Sequence, residues 1–406
     1  LASTRRSVDQ QATRRARTDP GATINPGRLN GSQGVTPFLK VTALVRDALE
    51  WSKKISEALY LFGKDAEVMF ASHSWPRWGN ERIQEVLRTQ RDTYAHLHNE
   101  VLYHANKGIT INEIDNVYQQ PESLKRQWPA RSYHGSEEHN SRAVINRYLG
   151  YWDANPATLI PLSPSESAPL YVEMMGGAEK IIAKGRELLA QGQYLGAIEI
   201  LNKLVYVEPE NQTAKDLLAD AFEQVGYQKE SSSVRNSFLA AAFELRNGFP
   251  SGVTTQPVNP DTVRAMPTEL LLDFLGIRLD SRKAAGMSFV INLVTPDNGE
   301  QFIVEMSNST LTNSKEFQSP KADLSIEINR SDLELIMAGL STFATHSGEG
   351  KVKLDGDATI VQKLQDVLVQ FTPDFPIIPG TKTAMEASAE NHELFEQPEP
   401  ASSAGG

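Results

Sequence analysis

The side chains in this sequence that could bind a metal or move a proton near neutral pH include its eight histidines; the chain contains no cysteine. His73 follows, after Ser72, residues 67–71, an apolar run that predicts a short buried strand. Residues 74–79 contain a proline and a glycine, which predict a loop. A histidine between a strand and such a loop lies where α/β proteins commonly place ligand-binding groups. His73 is therefore the first candidate site residue.

Two other pairs of histidines are spaced closely enough to suggest a shared metal ion. His96 and His98 fall in a predicted helix, where residues two apart point about 200° apart, so they cannot hold one ion. His134 and His139 fall in a polar, glycine-containing stretch that could form a loop for a metal or an anion. No third ligand is evident beside them, and an ordinary polar loop is the simpler interpretation.

The sequence lacks the common motifs of several enzyme classes. It contains no G-x-x-x-x-G-K-[ST] phosphate loop, no G-x-G-x-x-G after a strand, no G-x-S-x-G elbow and no H-E-x-x-H motif. These absences argue against nucleotide binding and serine hydrolysis. Because there is no cysteine, disulfides, thiolate zinc sites and iron–sulfur clusters are excluded as well.

Charge and hydropathy restrict the partners of the protein. The 406 residues carry 40 Lys+Arg and 51 Asp+Glu, a formal net charge of −11, whereas nucleic-acid binding needs clustered positive charge. Paired arginines at residues 5–6 and 14–15 are the only support for a basic arm. No apolar run approaches the ~20 residues that span a bilayer, and no signal-like stretch begins the chain. We expect a soluble protein with no membrane span and no nucleic-acid partner, and nothing in the sequence assigns a compartment.

The two ends of the chain are predicted to lie outside folded domains. Residues 1–42 are rich in arginine and poor in large aliphatic side chains, which predicts a disordered or incomplete N-terminal arm. Residues 383–406 contain glutamates and a Ser/Ala/Gly finish, which predict a disordered acidic tail. The chain begins with Leu1 rather than methionine, so we expect a processed or incomplete chain.

Helical periodicity dominates residues 46–62 and 80–248. Asn112 is predicted to cap a helix that runs through Val117, and prolines predict a loop over residues 158–169. Residues 178–226 match one tetratricopeptide-like unit plus the first helix of the next, with Ala and Gly where paired helices approach. Such arrays need about three repeats for stability, so a single unit indicates packing. We expect a helical bundle that shapes a dimer or a scaffold rather than a peptide-binding adaptor.

The last third of the folded region has a different pattern. Residues 249–260 contain three prolines and a glycine, which predict a linker. Strand patterns follow near residues 287–294, 301–306, 322–328 and 351–354, with helices before, between and after them. This order predicts a compact α+β domain over residues 261–382, and hence a multidomain α+β protein. Its apolar helices could form a ligand groove, although a plain core is the commoner explanation.

Several multi-residue motifs occur in order along the chain. They are Ser-His-Ser-Trp-Pro-Arg-Trp-Gly (72–79), Gln-Arg-Asp-Thr-Tyr (90–94), Arg-Tyr-Leu-Gly (147–150), Met-Gly-Gly-Ala (175–178) and Glu-Leu-Arg-Asn-Gly (244–248). With them the chain closely resembles the zinc-dependent alkyl sulfatases of the SDS-hydrolase type, from about residue 43 to 382. The resemblance implies a remnant of a metallo-β-lactamase domain at residues 43–79 and a helical dimerisation domain at 80–248. It also implies a domain similar to sterol carrier protein 2 at 261–382.

The resemblance further implies roles for individual residues. His73 matches the family's last zinc ligand, and Arg46 matches a position near the sulfate pocket, where a guanidinium could hold sulfate oxygens bidentately. A neighbouring arginine of the family falls on Val41, and a tyrosine expected within residues 143–147 is Ile145. The His-x-His-x-Asp-His motif and two glutamate ligands are absent, and residues 1–42 contain neither histidine nor glutamate. A two-zinc site needs several such ligands, so we expect an incomplete zinc site here.

The function implied by the resemblance is hydrolysis of primary alkyl sulfate esters to alcohol and sulfate. The chain would be the C-terminal part of such an enzyme, acting as a homodimer that binds the apolar chain of an alkyl sulfate or a similar ligand. The main zinc ligands would lie elsewhere, which leaves open whether this chain alone is an enzyme. The alternative is a non-catalytic lipid or fatty-acyl binding homodimer derived from the same family.

Overall fold

A computed structural model describes residues 45–71, 74–248, 260–371, 376–378 and 381. The described residues divide into two compact units. The first contains residues 45–71, 74–248, 376–378 and 381, and the second contains residues 260–371. Four sequence predictions fall outside the described residues: the N-terminal arm, the acidic tail, most of the linker, and the candidate ligand His73.

The first unit is helical apart from one β-hairpin. Its elements are α1 (Ala48–Phe62), β1 (Val68–Ala71), β2 (Ser74–Trp78), α2 (Asn80–Ala105), α3 (Ile114–Val117), α4 (Glu122–Lys125), α5 (Glu137–Leu149), α6 (Pro164–Met174), α7 (Ala178–Ala190), α8 (Tyr194–Val207), α9 (Gln212–Tyr227) and α10 (Ser232–Asn247). Helix α1 packs along α2, and α2 packs on α5 around a core that includes Trp51 and Ile83. A second apolar core joins α6 to α10.

The tetratricopeptide-like prediction for residues 178–226 is confirmed at the level of its helices. Helices α7, α8 and α9 follow one another with short connections, and α8 packs against both of its neighbours. Close approach depends on Gly185, because a Cβ there would lie 2.9 Å from a methyl carbon of Leu201. Helix α10, which the sequence pattern did not single out, packs along α9 and completes a second helical pair.

The hairpin shows where the prediction for residues 67–79 was wrong. Residues 74–78 form strand β2, antiparallel to β1, with Val68 opposite Trp78. Tryptophan favours extended backbone, and an edge strand tolerates Pro76 because it need not donate a ladder hydrogen bond. Strand β1 is also less buried than expected: Met69 is buried, whereas Val68 and Phe70 on the other face are exposed.

Two further predictions in the first unit were wrong for identifiable reasons. Helix α6 occupies the second half of the predicted loop at residues 158–169, because Pro164 stands in its first turn, where no backbone donor is needed. Ser163 and Glu166 form a capping box that starts the helix, although Pro169 lies inside it. Asn112 does not cap α3; its side-chain amide donates to Asp153, 2.8 Å away.

The second unit is an α+β fold built on one sheet. Its elements are α11 (Pro260–Ala265), α12 (Thr268–Arg278), β3 (Phe289–Thr295), β4 (Glu300–Ser307), β5 (Thr310–Lys315), β6 (Leu324–Ile328), α13 (Arg330–Met337), α14 (Phe343–Gly348), β7 (Val352–Gly356) and α15 (Thr359–Val367). Among the described residues, the strands form a five-stranded sheet in the order β5-β4-β3-β6-β7, and only β3 and β6 run parallel. The four predicted strands are present, while β5, α11 and α14 were missed.

Residues 376–378 and 381 return to the first unit after the second. Ile378 is buried in the core formed by α6 to α10. The carboxylate of Glu244 on α10 accepts hydrogen bonds from the backbone N–H groups of Ile377 (2.7 Å) and Ile378 (2.8 Å) and from the Thr381 hydroxyl (2.7 Å). This short C-terminal strap is therefore held by a buried carboxylate as well as by apolar packing.

Candidate functional site

Arg46 lies in a short extended segment, residues 45–47, directly before α1. Its side chain is exposed. Helix α5 holds the residues on both sides of it: the guanidinium of Arg147 donates from Nη1 to the carbonyl oxygen of Val45 (2.6 Å) and from Nε to Oδ2 of Asp47 (3.1 Å). The Tyr148 hydroxyl donates to Oδ1 of Asp47 (2.9 Å). The backbone that carries Arg46 is thus fixed from α5.

Asp47 is the centre of this arrangement. Its Oδ1 atom also accepts from the Glu50 N–H (3.1 Å), so the same carboxylate caps α1. Burial alone would raise the pKa of Asp47, but the hydrogen bonds from Glu50, Tyr148 and Arg147 outweigh burial and lower it below its usual value. Asp47 is therefore ionised at neutral pH and keeps Arg147 paired.

Tyr148 is supported from its other side by His98. The two rings meet edge to face, with centroids 5.1 Å apart. Burial, and then the neighbouring Asp47 carboxylate, raise the pKa of Tyr148, so its hydroxyl keeps the proton that it donates. Burial lowers the pKa of His98, which favours the neutral imidazole at pH 7. His98 thus packs against Tyr148. The ring of His96 instead faces Tyr118.

A small cavity of about 120 Å³ lies beside the β1–β2 hairpin. In the sequence, His73 stands between these two strands. Its wall combines apolar and polar side chains from the hairpin, α2 and the segment before α5. Among them are Met69, Trp75, Gln90, Tyr94, Trp128, His134 and Asn140. The guanidinium of Arg77 lies 4.2 Å from the centre of the Trp128 ring and donates to the Pro76 carbonyl (3.1 Å), which ties the hairpin to this wall.

Burial acts on two titratable groups in the wall of this cavity: it raises the pKa of Tyr118 and that of Glu137. His96 lies with Nδ1 3.4 Å from the Tyr118 hydroxyl, and burial lowers its pKa.

His134 and His139 do not share a site. His134 lines the small cavity, whereas His139 stands in the first turn of α5 and lines a separate cavity of about 920 Å³. Burial lowers the pKa of His139. Two cations that line the same cavity are paired, Arg142 with Asp115 (2.7 Å) and Lys229 with Glu138 (3.1 Å). The two histidines therefore line different cavities.

The described residues do not assemble a zinc site. Within residues 45–71, 74–248, 260–371, 376–378 and 381, no three His, Asp or Glu side chains converge so that they could hold a metal ion. The side chains placed there therefore do not fit the zinc that the resemblance implies. In the same described part of the chain, no helix is long and apolar enough to cross a membrane.

The cluster around Arg46 was not visible from the sequence. Arg147 and Asp47 are 100 residues apart, so no local spacing links them. Only the Arg-Tyr-Leu-Gly motif marked the region. Ile145, which stands where the family tyrosine was expected, is buried in the core of the first unit and cannot replace that hydroxyl.

Comparison with known proteins assigns the family. Residues 110–248 match a family model described as alkyl sulfatase dimerisation, and residues 256–380 match one described as alkyl sulfatase C-terminal. The chain belongs to the alkyl sulfatase family. This membership and the multidomain α+β fold confirm the two corresponding predictions.

Individual alkyl sulfatases are similar over most of this chain. A linear primary-alkylsulfatase of a Pseudomonas species is 39% identical over 86% of the chain and 53% of its own length. An alkyl/aryl-sulfatase of Saccharomyces cerevisiae is 36% identical over 82% of the chain and 51% of its length. The solved structure of a stereoselective inverting sec-alkylsulfatase from Pseudomonas superposes with a TM-score of 0.76 at 37% identity, over 83% of this chain and 53% of that one. The chain thus spans about half the length of the curated relatives it matches.

Proposed function

We propose that this chain is a part of an alkyl sulfatase that recognises the sulfate group of a primary alkyl sulfate with Arg46 and forms a homodimer. The observation that carries the proposal is an exposed arginine on a segment fixed from both sides, in a chain that is 39% identical to a linear primary-alkylsulfatase. A guanidinium can hold two sulfate oxygens at once, which fixes the ester and offsets its negative charge. Hydrolysis of such an ester yields an alcohol and inorganic sulfate.

The proposal gives the chain an incomplete share of the catalytic machinery. His73 is proposed as one metal ligand, and the other ligands would come from outside the described residues. Residues 1–42 offer neither histidine nor glutamate. Binding, orientation of the ester and dimerisation are the tasks that the described residues can perform.

Zinc content and hydrolysis measured on the same sample test this division of roles. The purified 406-residue chain is expected to hold less than one zinc per chain after dialysis and to release no sulfate from octyl sulfate above a blank, because several ligands are needed to retain the ion. Inorganic sulfate and zinc can be quantified by ion chromatography and mass spectrometry. Turnover with stoichiometric zinc would show that the chain is a complete enzyme and would refute the proposed division.

The homodimer is proposed on the surface of residues 148–174. This segment lies within the family model described as alkyl sulfatase dimerisation. It exposes a dense set of large apolar side chains: Tyr148, Leu149, Tyr151, Trp152, Leu159, Ile160, Leu162, Leu170, Tyr171 and Met174. Large exposed apolar patches in soluble chains mark contact surfaces, and a second copy of this chain is the occupant that the family model supports.

Acidic substitutions in this segment are expected to separate the dimer. The original chain should elute with light-scattering mass near twice its 44.9 kDa. Ile160 and Met174 are 89% and 86% exposed, so changing both to aspartate should leave the fold intact and give a monomer, because charge is costly to bury without a partner. Ser347→Asp, an exposed position in the second unit, is the matched control. A dimeric double variant would exclude this segment as the interface, and a monomeric original chain would contradict the homodimer.

A second candidate function is binding of lipid or fatty-acyl chains without catalysis. It is favoured by exposed apolar side chains on helices or at their ends in the second unit: Ile277, Leu335 and Leu340. Such a protein would bind an alkyl chain regardless of its head group. The two candidates therefore differ in whether a sulfate head increases affinity.

A further inference from the structure

Arg147 and Tyr148 contact the backbone and side chain on either side of Arg46. We infer that Arg147 and Tyr148 are positioning residues that fix Arg46 for recognition of a sulfate ester, an inference that rests on the proposed function. Neither would touch the sulfate. Their effect would be transmitted through Val45 and Asp47.

The Arg147 guanidinium bonds to the residues on both sides of Arg46. One of its nitrogens bonds to the carbonyl of Val45 (2.6 Å) and another to the carboxylate of Asp47 (3.1 Å). A planar guanidinium with donors in a rigid fork fixes the distance between the groups it bonds. Because those groups flank Arg46, the fork fixes the position of its Cα atom and the direction in which its side chain leaves the backbone.

Tyr148 completes the arrangement from the next position of α5. Its hydroxyl donates to Oδ1 of Asp47 (2.9 Å), and its ring rests against His98. Both carboxylate oxygens of Asp47 therefore accept hydrogen bonds from residues of α5, and Oδ1 also caps α1. The same carboxylate balances the charge of Arg147.

Stability alone does not account for these contacts. The Arg147–Asp47 pair keeps 35% and 24% of its side-chain surfaces exposed, and partly exposed ion pairs contribute little to folding. Helix α5 carries a second partly exposed pair, between Arg142 and Asp115 (2.7 Å), that touches neither Val45 nor Asp47. This second pair provides a matched control for a merely structural effect.

The test compares the affinity of the full chain for octyl sulfate and for octanol by isothermal titration calorimetry. Arg46→Ala is the benchmark for losing head-group preference. Arg147→Ala is expected to lower the preference for octyl sulfate by about tenfold while octanol affinity stays within about twofold, because misplacement of a binding group by about 1 Å is enough for such a loss. Tyr148→Phe, which keeps the ring, should give a smaller loss, and Arg142→Ala should give none.

The outcomes separate the inference from the function on which it rests. If Arg46→Ala leaves the preference unchanged, the proposed function fails. If Arg46→Ala lowers it but Arg147→Ala behaves like Arg142→Ala, the positioning role is wrong. Should Arg147→Ala fail to fold by circular dichroism, Arg147→Lys and Tyr148→Phe decide. Lysine keeps the charge without the fork, so a preference equal to that of the original chain in both variants overturns the inference.

Discussion

Replacing Glu244 by alanine is expected to lower the free energy of unfolding of the first unit by about 3 kcal/mol. Glu244 is 4% exposed and accepts from two consecutive backbone N–H groups and one hydroxyl of the C-terminal strap. Alanine would leave the two backbone donors without their acceptor, whereas the Thr381 hydroxyl would keep only its contact with the Ile378 carbonyl (2.9 Å). Because Ile378 packs in the same core, release of the strap would also expose apolar surface.

Urea unfolding followed by tryptophan fluorescence measures this loss in the full chain. Glu244→Gln retains one oxygen acceptor and should lose less than Glu244→Ala. Glu199→Ala, at an exposed position on α8, should stay within about 0.5 kcal/mol of the original chain. Hydrogen exchange at the amides of Ile377 and Ile378 should accelerate in Glu244→Ala. Equal stability of the alanine variants at positions 244 and 199 would contradict the role given to Glu244.

Shortening Leu201 to alanine is expected to cost about 3 kcal/mol of stability. Leu201 is fully buried at the centre of the tetratricopeptide-like packing, with its methyl groups against Gly185 on α7. The loss combines the transfer of the removed carbon atoms with a cavity that rigid neighbouring helices cannot fill. The effect should appear as a lower urea midpoint without a change in slope.

Leu195 provides the comparison within the same helix. It is 68% exposed, so Leu195→Ala removes the same atoms from α8 without opening a cavity and should cost less than about 1 kcal/mol. A difference between the two variants therefore measures burial rather than helix propensity. If both variants unfold at the same urea concentration, α7 to α9 do not pack as described.

Patterns of short range were readable from the sequence, and contacts of long range were not. The helices at residues 178–226 and the alternating strands of the second unit repeat with periods that local apolar spacing reveals. The proline pattern did not predict helix α6, because prolines commonly mark loops, although Pro164 at the first turn and the Ser163 cap are compatible with a helix. Strand β2 was missed for a similar reason, since Pro76 can stand on an edge strand.

In the candidate site, too, the sequence indicated some residues and gave no sign of others. The resemblance singled out Arg46 and His73, but no pattern indicated that Arg147 and Tyr148 would hold the residues beside Arg46. Likewise, Glu244 was part of a recognised motif without any sign that it binds Ile377, Ile378 and Thr381, more than 130 positions later. Such contacts depend on how helices are brought together, which single-residue propensities do not encode.

Titration of the chain with octyl sulfate and with octanol tests the central claim most directly, because the two ligands share the alkyl chain and differ in the sulfate group. The account predicts that the original chain binds octyl sulfate at least about tenfold more tightly than octanol, and that Arg46→Ala removes this difference. Arg126→Ala, at an exposed arginine of the same unit, should preserve it. Equal affinity of the original chain for both ligands, or an unchanged preference in Arg46→Ala, would contradict sulfate recognition by this chain and favour the lipid-binding alternative.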